Sequence, residues 1–207
     1  MDISALPPDK NSDPENGGSN RFDECLTPWI FFLILAASVF AAFPMVAVGL
    51  NTFFYRDSGA LGYPIEYYLR ESLLRGELPL WDPYSHCGVP FMAQWGNWYP
   101  FNFLSVFFPT PWFPNFFILA HLIWAGMGMY WLLRRWKVGT FAASFAAMAF
   151  VFNGVTMSCL IWGNYIASIS WLPWLVGSVI VAWQQGGRCT MTRPLVRTSR
   201  SCPFSTC

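Results

Sequence analysis

The residues best suited to chemistry lie in one polar segment of the chain, residues 51–100, which is set between long apolar stretches. The segment carries five carboxylates and three arginines among many aromatic residues and prolines. Carboxylates can act as general acids or bases, and the planar arginine fork binds phosphate and carboxylate groups. Because the apolar stretches are almost bare of such groups, any catalytic or binding site is expected in this segment.

Asp57 and Arg56 follow the first apolar stretch and fall at the expected boundary between water and lipid. Asp57 is therefore a candidate catalytic base, with pairing to Arg56 or capping of the next helix as the alternative. Arg56 is a candidate phosphate ligand and equally a plain interfacial anchor.

Four further residues of the segment are candidate substrate contacts: Trp81, Asp82, His86 and Asn97. Trp81 offers a stacking face, and Asp82 offers either a hydroxyl contact or a turn cap. His86 is a candidate acid or ligand, although a single exposed histidine is usually neither. Asn97 stands among amides and aromatic rings, which also suit a membrane interface. No two aspartates are separated by one residue here, so neither a metal site nor another cofactor is predicted.

Four apolar stretches are long enough to position this segment at a membrane: residues 29–50, 112–133, 140–160 and 165–183. A hydrocarbon core of roughly 30 Å requires about 20 helical residues. Their unbroken apolar character excludes the alternation of a barrel strand. The sequence predicts an all-α integral membrane protein with about four transmembrane helices and a large extracytoplasmic loop, 51–111. The acidic residues before the first stretch favour a retained anchor over a cleaved signal peptide.

Basic residues predict the orientation of these helices. The connection 134–137 carries three positive charges and no acid, and the segment after the fourth stretch is also basic. Both are predicted to be cytoplasmic, together with the N-terminus. The protein would then be a multi-pass membrane protein with a cytoplasmic N-terminus and with membrane lipid as a partner. The net charge of +1 and the absence of a basic helix predict no nucleic-acid partner.

A short amphipathic helix is predicted within the loop, over residues 64–75. Its apolar residues recur every fourth position: Ile65, Leu69 and Leu73. Pro64 suits the first turn and Gly76 suits the residue after the last one. Two ion pairs are expected at i,i+4 spacing, Glu66–Arg70 and Glu71–Arg75.

The two ends of the chain differ in composition from the domain between them, 28–185. Residues 1–27 are predicted to be a disordered cytoplasmic tail. Residues 186–207 are predicted to be an irregular tail, and a truncated or frameshifted reading frame would produce such a composition. The six cysteines show no metal spacing. Cys87 and Cys159 are predicted to be unrelated thiols rather than a disulfide.

The motifs of the segment resemble the YfhO-like bacterial membrane proteins, which look like members of the GT-C class of polytopic glycosyltransferases. The most specific motif is the string G-x-L-P-L-W-D-P-Y at residues 76–84. It is accompanied by Tyr55-Arg56-Asp57, Gly88-Val89-Pro90-Phe91, Tyr99-Pro100 and, in the last apolar stretch, Ser170-Trp171-Leu172-Pro173-Trp174. The resemblance covers residues 29–183.

The resemblance implies transfer of a sugar from a polyprenyl-phosphate carrier to an extracytoplasmic acceptor. Asp57 occupies the place of the acidic residue that serves as base in that class, and Arg56 would bind the carrier phosphate. Such enzymes usually have eight or more spans, so the chain would correspond to an N-terminal portion. The alternatives are a non-catalytic membrane scaffold, which could serve an unknown membrane protein partner, or an inactive truncated product. A transporter half is less favoured, because no span carries paired charges.

Overall fold

The computed structural model describes residues 27–53, 58–85, 87–93, 96–110 and 112–192, with backbone alone at 58 and 185–192. Seven α-helices occur in these ranges: α1 Pro28–Ala42, α2 Pro44–Ala47, α3 Tyr63–Leu74, α4 Phe113–Arg135, α5 Thr140–Val151, α6 Gly154–Ser158 and α7 Gly163–Thr192. Two strands, β1 Trp81–Asp82 and β2 Val89–Pro90, pair antiparallel. Shorter helical turns occupy Ser58–Gly62, Pro100–Val106 and Cys159–Ile161.

Three helices are long and apolar enough, by length and composition, to cross a membrane: Phe113–Arg135, Thr140–Ile161 and Gly163–Gln184. They coincide with the predicted stretches 112–133, 140–160 and 165–183, which are thereby confirmed as helical. The middle one is made of α5, α6 and the turn that follows. Asn153 separates α5 from α6 and caps the latter, because its side-chain oxygen accepts a hydrogen bond from the Thr156 amide at 2.8 Å.

The first apolar stretch, predicted as one helix over 29–50, is divided instead. Phe43 leaves the helical conformation between the end of α1 and Pro44, the first residue of α2. A proline lacks the amide proton of a continuous helix and disfavours helical backbone in the residue before it. With 15 residues, α1 is about 22 Å long, which is less than the roughly 30 Å of a hydrocarbon core. A fourth span therefore stays a prediction.

The core of the bundle surrounds α4, which contacts α1, α5 and α7. Phe31, Leu35 and Val39 form the buried stripe of α1. At Gly126 an added Cβ would lie 2.6 Å from Leu35 and 2.9 Å from Val151. The glycine therefore allows α1 and α5 to approach α4 closely.

The contact between α4 and α7 interlocks two glycines with two tryptophans. Gly128 of α4 lies against the indole of Trp174, and Gly177 of α7 lies against the indole of Trp131. Trp174 also stacks on Trp131 and on Trp124, with ring centroids 5.3 and 4.6 Å away. Gly128 and Gly177 thus let α4 and α7 pack closely.

A smaller unit, called here the loop unit, consists of the described residues between 58 and 110. Its core joins Leu69 of α3 to Phe91 and Met92, which follow the small sheet. The predicted helix 64–75 is confirmed with a shift of one residue, and Gly76 ends it at a φ of +76°. The sheet pairs Trp81 with Pro90 and Asp82 with Val89, and it was not predicted. Strands of two residues are too short for alternation to mark them.

At the C-terminal side, α7 continues through residue 192, so irregular structure does not begin at 186 as predicted. A helix that has already formed can be extended without a new nucleation step. For this reason α7 can continue beyond the end of the apolar stretch. The tails 1–26 and 193–207 lie outside the described residues. Cys87 and Cys159 are both free thiols, as predicted.

Candidate functional site

A cavity of about 270 Å³, called here the junction cavity, lies where the loop unit meets α4 and α7. The loop unit contributes Glu66, Asn97, Tyr99 and Asn102. The long helices contribute Phe117, Asn164, Ser168 and Trp171. The cavity thus brings one carboxyl, three amides, one serine hydroxyl and several aromatic rings together from four segments of the chain.

Glu66 is the one described carboxyl that lines this cavity. The residue is partly exposed, but its Oε2 atom is buried and has no hydrogen-bond partner among the described residues. Burial raises the pKa of the Glu66 carboxyl from 4.5 to about 8. The group is therefore mostly protonated at neutral pH while the cavity is empty.

The ion pair predicted between Glu66 and Arg70 is not formed. Arg70 donates from Nε to the Phe108 carbonyl at 3.0 Å and from a terminal nitrogen to Glu71 at 3.4 Å. Glu71 pairs with Arg70 rather than with Arg75. The second predicted ion pair, Glu71–Arg75, is therefore also wrong. The Phe108 carbonyl holds the guanidinium away from Glu66, which has no counter-ion among the described residues.

A hydrogen-bonded chain forms one wall of the cavity. Trp171 donates from Nε1 to the Tyr99 hydroxyl at 2.7 Å, and that hydroxyl lies 2.8 Å from His121 Nε2. His121 Nδ1 lies 2.7 Å from the Phe117 carbonyl, which can only accept. A neutral His121 with its proton on Nδ1 satisfies every bond, because Nε2 then accepts from Tyr99.

This chain of bonds fixes ring positions and does not conduct protons. It ends at a backbone carbonyl of α4, which cannot pass a proton on. Burial raises the pKa of the Tyr99 hydroxyl, and the hydrogen bond from Trp171 opposes that rise to a smaller extent. Tyr99 and Trp171 are consequently fixed aromatic surfaces of the cavity.

Three polar residues of the cavity donate hydrogen bonds to backbone carbonyls. Asn97 donates to the Phe91 carbonyl at 2.8 Å, and Asn102 donates to the Gly96 carbonyl at 3.2 Å. Ser168 donates its hydroxyl to the Asn164 carbonyl at 2.9 Å. The side-chain oxygen of each of these three residues can accept a hydrogen bond, so the wall is rich in acceptors.

A second cavity, of about 360 Å³, lies beside α3 and the small sheet. Its polar lining includes Glu71, Arg75 and Asp82. Asp82 is only 5% exposed, and its Oδ1 accepts the Tyr84 amide at 2.9 Å. This bond is the turn cap that the sequence offered as the alternative to a substrate contact.

The six predicted site residues do not gather in one place. Asn97 lines the junction cavity and Asp82 lines the second one. Trp81 is 55% exposed, covers Gly88 and is in the lining of neither cavity. The other three, Asp57, Arg56 and His86, lie outside the described residues.

Glu66, Tyr99 and Trp171 were missed as site residues, and the helical phase of α3 could have marked the first. At 100° per residue Glu66 lies about 60° from the buried Leu69, whereas Glu71 lies about 160° away. Tyr99 and Trp171 stand in stretches whose aromatic content is equally typical of a membrane interface. Their sequence gives no sign of the bond that joins them.

The described fold, with its three helices of membrane-spanning length, has the features of an α-helical membrane protein. No match was found to any protein-family model, curated protein or solved structure. Among the described residues, no three histidine, cysteine, aspartate or glutamate side chains are grouped as metal ligands would be.

Proposed function

We propose that the chain is a YfhO-like membrane glycosyltransferase of the GT-C type, which transfers a sugar from a polyprenyl-phosphate carrier to an acceptor outside the membrane. The observation that carries the proposal is the junction cavity. It is a concave site with amides, aromatic rings and a carboxyl at the border between the loop unit and the long helices. A carrier embedded in lipid and an acceptor in water can meet only at such a border.

Asp57 is the base of the proposed reaction, taking a proton from the acceptor hydroxyl, and Arg56 binds the phosphate of the carrier. The turn Ser58–Gly62 begins directly after Asp57, and its last residue, Gly62, lines the junction cavity. Five residues cover at most about 18 Å of extended chain. In the sequence, Asp57 thus stands only five positions before a residue that lines the junction cavity.

The substrate contacts of the proposal are divided between the two cavities. Asn97 contacts the sugar in the junction cavity, where its amide oxygen can accept a hydrogen bond. Asp82 lines the second cavity and would contact the acceptor, and Trp81 and His86, which stand near it in the sequence, are the other proposed acceptor contacts. In this arrangement α3 separates the two regions, since its Ile65 lines both cavities.

The proposal includes a bacterial inner-membrane location with a cytoplasmic N-terminus and four spans. Arg134, Arg135 and Lys137 lie at the end of α4 and in the turn after it. The loop unit precedes the other end of α4, so it would face outward. Pro28–Ala47 would supply the fourth span if α1 and α2 run in one direction, because 20 residues at 1.5 Å are about 30 Å long.

The experiment is a sugar-transfer assay with purified protein in lipid and a panel of labelled polyprenyl-phosphate sugars. We expect transfer by the wild type, its loss in Asp57→Asn, and its retention in Glu77→Gln, which changes an exposed carboxyl of the loop unit. Absence of transfer with every donor, from protein that is inserted and helical, would overturn the proposal in favour of a non-catalytic scaffold.

A further inference from the structure

The unpaired carboxyl of Glu66 requires a partner that the described protein does not supply. A buried polar group without a hydrogen bond destabilises a fold, and such groups are few in native structures. The basic residue one helical turn away, Arg70, is bound to Phe108 and Glu71 instead. The fold therefore keeps a carboxyl group in a cavity and keeps Arg70 out of it.

Among the residues that the structure describes, the groups around Glu66 supply no positive charge. From the loop unit the titratable group in the cavity is Tyr99, and from α4 it is His121, which lies behind Tyr99 and is bonded to it. The lining residues of α7 are all uncharged. The other charged groups of α3 near this level, Arg70 and Glu71, pair with each other.

The remaining wall favours a ligand that brings donors and a positive charge. The side-chain oxygens of Asn97, Asn102 and Ser168 can accept hydrogen bonds. The rings of Trp171, Tyr99 and Phe117 line the same space, and aromatic faces attract cations. An ammonium group has three N–H donors and no acceptor, so it complements a wall of oxygens, rings and one carboxylate.

We infer that the junction cavity binds a primary ammonium group, with the Glu66 carboxylate as its counter-ion and the side-chain oxygens of Asn97, Asn102 and Ser168 as acceptors. This binding goes beyond glycosyl transfer and does not depend on it. The ammonium can belong to a lipid headgroup or to a small soluble amine such as an amino sugar. A volume of about 270 Å³ accommodates either one.

The affinity of the cavity for an ammonium group should depend on pH in a defined direction. Below about pH 8 the empty cavity holds a protonated Glu66, and an ammonium must displace that proton to gain its counter-ion. Affinity should therefore rise about tenfold per pH unit below pH 8 and level off above it. It should fall again once the amine itself loses its proton, near pH 10.

The test uses the full chain in phosphatidylcholine nanodiscs, which contain no primary amine, with ethanolamine titrated at pH 6, 7 and 8. We expect saturable binding that tightens about tenfold from pH 6 to pH 7. Glu66→Gln should weaken binding at least tenfold and abolish its pH dependence, and Glu77→Gln should leave both unchanged. Helical circular dichroism of each variant checks that the fold is retained.

Two further probes distinguish the source of the amine. Tighter binding of glycerophosphoethanolamine than of ethanolamine supports a lipid headgroup, and tighter binding of glucosamine supports a soluble amino sugar. Binding of ethanolamine that survives Glu66→Gln, or binding of methyl glucoside as tight as that of glucosamine, would overturn the inference. So would the absence of amine binding by folded protein at all three pH values. The assay contains no sugar donor, so a failed transfer reaction leaves its result standing.

Discussion

One hydroxyl, that of Tyr99, links three parts of the molecule. It receives the Trp171 indole N–H of α7 and lies 2.8 Å from His121 of α4, while its own backbone belongs to the loop unit. Removing the hydroxyl leaves an indole donor and an imidazole acceptor without partners in a mostly buried site. Each unsatisfied group of this kind costs about 1–3 kcal/mol.

Tyr99→Phe should therefore lower the apparent melting temperature of the protein in nanodiscs by several degrees. The matched control is Tyr84→Phe, because Tyr84 is 85% exposed and no described hydrogen bond uses its hydroxyl. We expect the control to melt like the wild type. Equal melting of Tyr99→Phe and the wild type would show that the hydroxyl contributes nothing to the docking of the loop unit.

Single residues of the site were predictable to very different degrees. Asn97 was predicted as a substrate contact because amide and aromatic side chains surround it in the sequence. It lines the junction cavity. Glu66 was assigned to an ion pair, because i,i+4 spacing is a local rule that takes no account of what packs on the helix. The Phe108 carbonyl that accepts the hydrogen bond from Arg70 is 38 residues away in the chain. No local sequence pattern can therefore predict this bond.

Between elements, the interlock of α4 and α7 depends on glycines that have no room for a side chain. An added Cβ at Gly177 would overlap the Trp131 ring, and one at Gly128 would overlap Trp174. Trp174 is itself held between Trp124 and Trp131 and donates to the Trp124 carbonyl. Neither ring can move aside without disturbing the stack.

Gly128→Ala and Gly177→Ala should each destabilise the protein by about 1–3 kcal/mol through overpacking. Gly154→Ala is the control, because nothing lies within 4 Å of an added Cβ there. Thermal melting in nanodiscs should place both test variants several degrees below the control. If all three glycine variants melt together, the helices do not approach as closely as described.

Helices that follow from long apolar stretches were predicted correctly. Features that depend on a single residue or on strand pairing were not. The helices α4 and α7 follow from composition, since an apolar run of about 20 residues is typical of a membrane-spanning helix. The division of the first stretch depends on a single residue, Pro44, within an otherwise continuous apolar run. The small sheet depends on a left-handed Gly88 and on Trp81 lying over it, a contact that exists only after folding.

Across the whole molecule, polar bonds fix the start of α4 to the segment that leads into the loop unit. Asn115 of α4 donates to the Asn51 carbonyl at 2.8 Å and to the Val46 carbonyl at 3.3 Å. Arg70 reaches the Phe108 carbonyl just before α4 begins. The loop unit is thus held at one end of α4, and the basic residues 134–137 lie at the other end. This arrangement is consistent with a membrane protein whose loop unit and basic turn lie on opposite sides of the membrane.

A topology measurement tests this arrangement. In a variant whose remaining cysteines are serine, the exposed Cys87 of the loop unit should react with an impermeant maleimide on intact bacterial cells. A variant with cysteine only at Arg135, made as Arg135→Cys, should react only after the cells are permeabilised. Labelling of both positions from the same side would contradict the proposed orientation and the outward-facing site.

The ionisation of Glu66 is the basis of the ammonium site inferred for the junction cavity, and ¹³C NMR of glutamate carboxyls in nanodiscs measures it most directly. We predict one carboxyl that titrates near pH 8, that disappears in Glu66→Gln, and that shifts to lower pH when ethanolamine is added. Titration of every glutamate below about pH 5, as for ordinary exposed carboxyls, would contradict a buried, unpaired Glu66 and with it the site described above.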